Sequence, residues 1–196
     1  MLKKYDLVIV GAGPTGLMAA KRGAEITLVT GPTHCRVDHP NIKRIDVITA
    51  HEMYEECHRR FDETNIGIMC AAVADYTPEK PSDKKIKKEA NALEIKLSPT
   101  RDILASLGKL KKDDQLLVGF ALETNNEVEN AIKKIQNKNL DFIVLNSLRD
   151  KGAGFGTSTN KITIIERSGK SKSYDLKPKE EVAMDIIDTL VYYLNH

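Results

Sequence analysis

The stretch Tyr5-Asp-Leu-Val-Ile-Val-Gly11-Ala-Gly-Pro-Thr-Gly16 decides the fold of this chain. Its first half is a short run of apolar, mostly β-branched residues, which is typical of a buried strand. Gly11, Gly13 and Gly16 then follow the G-x-G-x-x-G spacing, which marks a tight turn from a strand into a helix. Backbone N–H groups at such a turn can bind a phosphate. Read alone, the stretch indicates an α/β protein with a flavin or nicotinamide site.

Two features of the sequence weaken that dinucleotide interpretation. Only six residues separate Gly16 from Gly23, too few for a crossover helix of usual length. The acidic residue that would hold a ribose, expected about 20 positions after the first glycine, is missing. Thr30-Gly31-Pro32 occupies that region. A mononucleotide phosphate loop and an ordinary strand-to-helix turn therefore remain as alternatives.

Strands and helices alternate along the rest of the chain. Strands are predicted at 5–10, 26–30, 66–72, 116–120 and 141–145, with a further one closing at Val47-Ile48. Helices are predicted at 19–22, at 50–62 after a Thr49/Glu52 capping box, and at 102–110, 126–138 and 178–193. This alternation predicts an α/β fold of three layers, Rossmann-like, with a mostly parallel central sheet covered on both faces.

Two runs near the end of the chain predict a β-hairpin. Ile162–Glu166 and Lys172–Leu176 flank the turn signal Ser168-Gly169. We expect Gly152–Leu176 to form a small arm on a single nucleotide-binding domain that spans residues 1–196. Thr77–Asn91, rich in Pro, Ser, Asp and Lys, is predicted to be a surface loop.

Composition excludes several classes of protein. The 196 residues carry 30 Lys and Arg against 28 Asp and Glu, a net charge of +2, which argues against a nucleic-acid partner. Aromatic residues make up 5% and Trp is absent, so a base-stacking platform is not expected. Apolar runs are too short for a membrane span, and no secretion signal is recognisable. Cys35, Cys57 and Cys70 lack zinc spacing, so we expect a cytoplasmic protein without a metal-binding cysteine site.

An ordered set of segments carries a family resemblance. The segments are Ala71-Ala-Val-Ala-Asp75-Tyr76, Lys84-Lys85-Ile-Lys87-Lys88, Ser98-Pro-Thr-Arg-Asp-Ile-Leu104, Val118-Gly-Phe120-Ala-Leu-Glu-Thr124-Asn125 and Lys133-Lys134 through Lys138. In this order they resemble the phosphopantothenate–cysteine ligase family, also called phosphopantothenoylcysteine synthetase. The resemblance extends over most of the chain.

The resemblance implies a two-step ligation in coenzyme A biosynthesis. The carboxylate of 4′-phosphopantothenate attacks the α-phosphate of CTP, pyrophosphate leaves, and an acyl-cytidylate forms. The amine of L-cysteine then attacks the activated carbonyl, giving an amide and CMP. The resemblance also implies Mg²⁺ with the triphosphate, no flavin, and a homodimer that the hairpin arm helps to build. Sequence alone leaves CTP and ATP as alternative nucleotides.

The resemblance assigns nucleotide-binding roles to residues at strand ends, in loops and on one helix: Met69, Cys70, Ala71, Asp75, Lys85, Arg101, Asp102, Ile103, Leu104, Phe120, Lys134 and Lys138. Lys85 is also the expected catalytic residue, because a lid loop that carries it could close over the reacting phosphate and exclude water. Lys134 and Lys138 lie one helical turn apart and could neutralise one triphosphate.

Each of these residues also has an ordinary structural interpretation. The lysines suit a solvated charge run and an exposed helix face, and Phe120 suits a core position. Asp75 suits an Asx-turn, and Cys70 is a small buried hydrophobe by type. His34, Cys35 and His39 lie in one loop without a further ligand, which is a poor metal site.

The match to the family breaks after the first strand. The family has a long loop there with an asparagine that handles the acyl intermediate, whereas Gly13-Pro-Thr15 is followed here by Gly-Leu-Met-Ala-Ala. A shortened chain that has lost activity, a missing loop, and a strand end rebuilt as a dinucleotide turn are the open explanations. The flavin-dependent decarboxylase often fused in front of the family does not fit ahead of Met1, so a stand-alone ligase is expected. The alternatives are an FAD- or NAD-binding oxidoreductase using Gly11–Gly16 and an inactive nucleotide-binding relative.

Overall fold

The central element of the protein is a sheet of eight strands, counted over the residues that the computed structural model describes: 5–11, 13–82, 84–87, 93–123, 126–147 and 156–195. In chain order the strands are β1 (Asp6–Val10), β2 (Glu25–Thr30), β3 (Ile42–Asp46), β4 (Ile66–Met69), β5 (Tyr76–Pro78), β6 (Leu97–Pro99), β7 (Leu116–Glu123), β8 (Phe142–Ser147), β9 (Thr159–Asn160), β10 (Ile162–Glu166), β11 (Ser171–Ser173) and β12 (Lys177–Pro178). The helices are α1 (Thr15–Lys21), α2 (Ala50–Phe61), α3 (Ile103–Leu110), α4 (Glu127–Asn137) and α5 (Lys179–Asn195).

The strand order is β11-β10-β8-β7-β4-β1-β2-β3. From β3 to β8 all neighbours are parallel, while β10 pairs antiparallel with both β8 and β11. The remaining strands form two small antiparallel pairs, β5 with β6 and β9 with β12. The predicted α/β class and mostly parallel sheet are confirmed.

Alternation of side chains along each buried strand divides the core into two clusters. Leu7 and Ile9 of β1 face one way, toward a cluster that includes residues of α1 and α5. Val8 and Val10 face the other way, toward residues of α2, α3 and α4. Because a strand buried on both faces needs apolar residues on both sides, the four residues of β1 after the exposed Asp6 form an uninterrupted apolar run. The predicted three layers are confirmed.

Several local predictions are confirmed at the level of hydrogen bonds. The Thr49 hydroxyl accepts the N–H of Glu52, and the Glu52 carboxylate accepts the N–H of Thr49, which completes the capping box of α2. These bonds satisfy N–H groups that a helix leaves unpaired at its start. The Glu52 carboxylate accepts the N–H groups of Ile48 and Thr49, and these two bonds lower the pKa of Glu52.

Other boundaries differ from the predictions. α1 begins at Thr15 rather than Ala19, because Pro14 is already suited to a helix start. The third strand is Ile42–Asp46, and Val47-Ile48 lie beyond its end. It is an edge strand whose mixed polar sequence gives little signal, and its pairing with β2 fixes it.

The predicted hairpin is present as β10 and β11, and it extends the main sheet through the pairing of β10 with β8. Its apolar Ile162, Ile164 and Ile165 are buried in the core. Residues 152–155 of the predicted arm lie outside the described part of the chain. Among the described residues, none of the helices combines the length and apolar character needed to cross a bilayer.

Candidate functional site

The site lies at the point in the sheet where the order in which strands are added reverses. From β1 the chain adds β2 and β3 on one side, then returns to place β4 on the other side of β1. In open α/β sheets, ligands bind in the crevice outside the carboxyl ends of the strands at such a switch point. Val10 and Met69, the last residues of β1 and β4, line a cavity of about 290 Å³ at this position.

The cavity collects most of the residues that the resemblance assigned to the nucleotide. Of that set, its lining includes Met69, Ala71, Asp75, Arg101, Asp102, Ile103, Leu104, Phe120 and Lys138. These residues come from β4, the segment after it, the start of α3, β7 and the end of α4. Cys70, Lys85 and Lys134 are absent from the lining.

One wall of the cavity is the segment 71–75, which leaves the carboxyl end of β4. Two bonds fix it to the chain that enters α3. The Thr100 hydroxyl donates to the carbonyl of Ala74 at 2.6 Å, and the N–H of Thr100 donates to the carbonyl of Asp75 at 2.8 Å. Thr100 therefore holds two cavity walls together, a role that sequence analysis missed although it quoted the surrounding Ser98–Leu104 motif.

A carboxylate and an amine meet at the start of α3. Asp102 caps the helix by accepting the N–H of Ala105 at 2.9 Å, and it pairs with Lys138 Nζ at 2.8 Å. Partial burial acts to raise the pKa of Asp102, but the bonds from Ala105 and Lys138 outweigh it and hold that pKa below its ordinary value. Lys138 therefore lies at the cavity as a paired cation.

Arg101 lies on the rim between the cavity and α2. Its guanidinium NH1 is 3.3 Å from the Glu55 carboxylate, and its central carbon lies 4.9 Å from the centre of the Tyr54 ring. Tyr54 is itself fixed, because its hydroxyl bonds to Ser106 Oγ at 3.0 Å. The arginine is thus oriented by α2, a helix that sequence analysis did not connect with the site.

Lys134 does not line the cavity and is paired with a carboxylate outside its lining. Its Nζ lies 2.6 Å from the carboxylate of Glu123, at the end of β7. The two lysines on α4, expected to act on one triphosphate, are therefore paired with different carboxylates.

Lys85 lies in an exposed part of the predicted Thr77–Asn91 loop, between β5 and β6. The pairing of Tyr76–Pro78 with Leu97–Pro99 closes the base of this loop, a ladder that sequence analysis did not predict. Lys88 of the lysine run and Thr124-Asn125 of the β7 motif lie outside the described residues.

Cys70 is next to the cavity, and its thiol has low reactivity. Its thiol donates to the carbonyl of Val10 at 3.0 Å, and burial raises its pKa to about 12. A thiol with that pKa stays protonated at neutral pH, so it is a poor nucleophile. Cys70 is half-buried and also lines a second cavity, so the geometry supports the predicted non-nucleophilic role but not complete burial.

Packing explains the glycine-rich turn. Gly11 has a φ of +117°, and a Cβ there would lie 2.9 Å from both Ala71 N and Cys70 Sγ. Gly16 packs against Ile9, whereas a Cβ at Gly13 would meet nothing within 4 Å. The helix behind the turn has 7 residues, and no acidic residue lies in its first turn. Gly11 thus permits the close approach of the β1 and β4 ends that builds the cavity.

A second cavity of about 640 Å³ borders the same 71–74 segment. Its described lining comes from the ends of β2 and β4, the loop after β3 and the start of α2, including Thr30, Val47, Thr49 and Met53. No charged side chain is part of this lining. The two cavities share Ala71, Ala72, Val73 and Ala74 as lining residues and are therefore adjacent.

Metal ligation by the protein alone has little support in the described part of the chain. No group of three or more His, Cys, Asp or Glu side chains that could hold an ion occurs there. His39 of the loop considered in the sequence instead accepts the N–H of Asn41 through Nδ1 at 3.2 Å.

Comparison with known proteins identifies the family of this chain. Residues 8–193 match the DNA/pantothenate metabolism flavoprotein C-terminal domain. A relative from an unknown prokaryotic organism, named cysteine/cysteine sulfinic acid decarboxylase, is 56% identical over 86% of this chain and 47% of its own length. The coenzyme A biosynthesis bifunctional protein CoaBC of Bacillus subtilis (strain 168) is 38% identical over 88% of this chain and 42% of its own length. The chain thus spans less than half the length of these relatives.

Solved structures agree with the family. The crystal structure of the C-terminal domain of CoaBC matches with a TM-score of 0.81 and 29% identity, covering 99% of this chain and 97% of that one. A Cab2 mutant in complex with phosphopantothenate-cysteine matches with a TM-score of 0.71 over 99% of this chain and 90% of that one. At 12% identity, that second match shows the shared fold. The chain belongs to the family of DNA/pantothenate metabolism flavoprotein C-terminal domains and is homologous to the phosphopantothenoylcysteine synthetase domain of CoaBC.

Proposed function

We propose that this chain is a phosphopantothenate–cysteine ligase that activates 4′-phosphopantothenate with CTP and transfers the acyl group to L-cysteine. The observation that carries the proposal is the cavity at the switch point between β1 and β4. It brings Met69, Asp75, Phe120 and Lys138 together from four separate parts of the chain. Homology to CoaBC and the agreement of fold with a phosphopantothenate-cysteine complex support the same reaction.

The charges at the cavity suit the first step. A triphosphate and a phosphorylated acid repel each other, so a site that joins them must supply fixed positive charge. Lys138 and Arg101 supply it at the cavity, and Lys85 would add to it if the Thr77–Asn91 loop closed. The substrate carboxylate forms a bond to the α-phosphorus, the α–β phosphoanhydride bond breaks, and pyrophosphate leaves with the electron pair.

The strand end can recognise a pyrimidine without charged side chains. Met69 and Ala71 line the cavity at the carboxyl end of β4, and we infer that their peptide groups meet the base there. A cytosine edge needs both donors and acceptors, which peptide groups provide. An adenine edge also offers a donor and an acceptor, so our preference for CTP rests on the family resemblance, and ATP is the competing nucleotide in the assay.

Mg²⁺ would enter with the triphosphate. Mg²⁺ in such sites is held by one or two carboxylates together with substrate phosphates and water. The Asp102 carboxylate is already bound to Ala105 and Lys138, so Asp75 on the cavity wall is the candidate protein ligand. The ion would neutralise part of the charge that pyrophosphate carries away.

The second cavity is the proposed site of the acid substrate. Its uncharged lining suits the amide-containing middle of phosphopantothenate, and the shared 71–74 wall would bring its carboxylate beside the nucleotide. In the second step the cysteine amine attacks the acyl carbonyl, the C–O bond to CMP breaks, and the amine gives up a proton.

A second candidate, a nucleotide-binding relative without complete turnover, is favoured by one observation. The chain passes from β1 through the 7-residue helix α1 to β2, without the asparagine loop that the resembled family has at this place. That loop was credited with handling the acyl intermediate. Its absence bears on cysteine capture and leaves the cavity intact.

Pyrophosphate release with CTP and 4′-phosphopantothenate, with and without cysteine, tests the proposal. A ligase releases pyrophosphate over many turnovers when cysteine is present and forms the amide product. Release that stops at one equivalent, with or without cysteine, means activation without capture. A folded protein that binds CTP and releases none is the nucleotide-binding relative, and one that binds and turns over neither CTP nor ATP contradicts the proposal.

Two controls accompany the assay. Flavin absorbance and NADH binding test the oxidoreductase alternative, which predicts a yellow protein or a change in NADH fluorescence. Carbon dioxide release from L-cysteine tests whether the activity in the name of the 56% identical relative occurs here, since this chain aligns with only 47% of that protein.

A further inference from the structure

The Glu123–Lys134 pair differs from the other lysine pairs on α4. Lys134 Nζ is 2.6 Å from Glu123 Oε1, and Asn130 Nδ2 lies 3.4 Å from Glu123 Oε2. We propose that Glu123 is a positioning residue that competes with the nucleotide phosphates for Lys134 and so limits the affinity for the triphosphate. This inference rests on the proposed nucleotide site.

The Glu123–Lys134 and Asp102–Lys138 pairs differ in how exposed their carboxylates are. The Glu123 side chain is 15% exposed, whereas that of Asp102 is 50% exposed. When a phosphate takes Lys138, water can solvate Asp102. When a phosphate takes Lys134, Glu123 is left largely buried without its cation, which is costly. Lys138 is therefore the cation that a nucleotide captures readily, and Lys134 is the one that Glu123 retains.

Competition by Glu123 should weaken the binding of nucleotides with several phosphates more than the binding of nucleotides with one phosphate. CMP can be bound through Lys138, whereas the longer phosphate chain of CTP would also gain from Lys134, four residues earlier, once Lys134 leaves Glu123 and turns toward the cavity. A carboxylate that holds the second cation weakens the binding of CTP more than the binding of CMP. Glu123 thereby reduces the advantage of the substrate nucleotide over its product.

The chain offers a matched control on the same helix. Glu129 pairs with Lys133 at 2.7 Å, and both side chains are more than half exposed. Glu129→Gln changes the net charge by the same amount as Glu123→Gln, but it frees a lysine that is already in solvent. Surface pairs of this kind contribute little, and salt screens their long-range effect.

Calorimetric titration of the full chain with CTP and with CMP tests the inference. We expect Glu123→Gln to tighten CTP binding about fivefold, with a smaller change for CMP. Glu129→Gln should leave both Kd values nearly unchanged. Adding Lys134→Ala to Glu123→Gln should cancel the gain, because the freed cation is then removed. A gain of affinity is not an effect that damaged folding produces.

Glu123→Asp gives a second, independent reading. The shorter side chain keeps the charge but reaches Lys134 less well, so a smaller gain in CTP affinity is expected. Unchanged or weaker CTP binding in both Glu123 variants overturns this inference alone. No CTP binding by the unmodified protein or by any variant overturns the proposed nucleotide site as well.

Discussion

The carboxylate of Asp102 lies 2.8 Å from Nζ of Lys138, and so connects the start of α3 with the end of α4. The same carboxylate caps α3 through Ala105. Gly108, two residues before the end of α3, lies so close to the backbone of Lys138 that a Cβ there would collide with its carbonyl group. Helix packing and a side-chain pair thus place one cation at the cavity.

Substitutions at Asp102 should separate its two roles. Asn caps a helix about as well as Asp, so Asp102→Asn should keep the cap and lose the charge pair with Lys138. Asp102→Ala loses both and should lower the free energy of unfolding by about 1 kcal/mol more. Urea unfolding at pH 7 measures both differences. Equal stability of the two variants would show that the cap contributes nothing.

The pH dependence of the Asp102 contribution has a definite sign. Its pKa in the folded protein is lowered from the ordinary 3.8. The stabilisation is therefore present above pH 3.8 and is lost as the pH falls through the lower folded pKa. The difference in unfolding free energy between the unmodified protein and Asp102→Asn should shrink in that acidic window. A difference that stays constant down to pH 2 would contradict the assignment.

Arg101 should contribute to nucleotide binding through its charge and its fixed orientation. Arg101→Ala should weaken CTP binding about tenfold, as expected for a lost charge-assisted hydrogen bond. Arg101→Lys should give an intermediate Kd, because Lys keeps the charge but not the planar contact with Tyr54. Arg59→Ala is the matched control, since Arg59 is exposed on α2 and pairs with Glu56. Arg101→Ala with an unchanged Kd would remove Arg101 from the site.

Lys85 should act on the rate rather than on binding. Lys85 is exposed and absent from the cavity lining, so Lys85→Ala should leave the CTP Kd nearly unchanged. Pyrophosphate release should slow about 100-fold if Lys85 stabilises charge in the transition state. Lys80→Ala, in the same exposed loop, should behave as the unmodified protein. Equal losses of binding and rate for Lys85→Ala would contradict a lid role.

Substitution by alanine should destabilise the protein much more at Gly11 than at Gly13. Gly11→Ala places a Cβ against Ala71 and Cys70 at positive φ and should lower the free energy of unfolding by about 1–3 kcal/mol or more. Gly13→Ala meets nothing within 4 Å and should be nearly neutral. Thermal unfolding of the two variants measures this. If Gly13→Ala is as damaging as Gly11→Ala, packing is not the reason for the motif.

Thiol reactivity should distinguish Cys35 from the other cysteines. Cys35 is exposed, whereas burial raises the pKa values of Cys57 and Cys70 to about 12. Titration with a thiol reagent at pH 8 should therefore label Cys35 quickly in the folded protein, and the other two only after unfolding. Cys70→Ser should leave pyrophosphate release largely intact. Rapid labelling of Cys70 in the folded protein would contradict its assigned environment.

Much of the fold could be predicted because its signals are local. The apolar run of β1 and the Thr49–Glu52 capping box depend on neighbouring residues, and both appear as expected. The alternation of strands and helices was enough to predict a parallel sheet in three layers. The order of motifs along the chain identified the family and most of the cavity lining.

Tertiary structure decided what depends on distant residues. The sequence placed Lys134 and Lys138 on one helix face, but only the positions of Glu123 and Asp102 determine which carboxylate each lysine meets. Thr100, the Arg101–Glu55 pair and the β5–β6 ladder likewise join segments far apart in sequence. Local propensity specifies helices and strands through short-range sterics and hydrogen bonds, whereas the pairing of charges follows from which chain segments the packed core brings together.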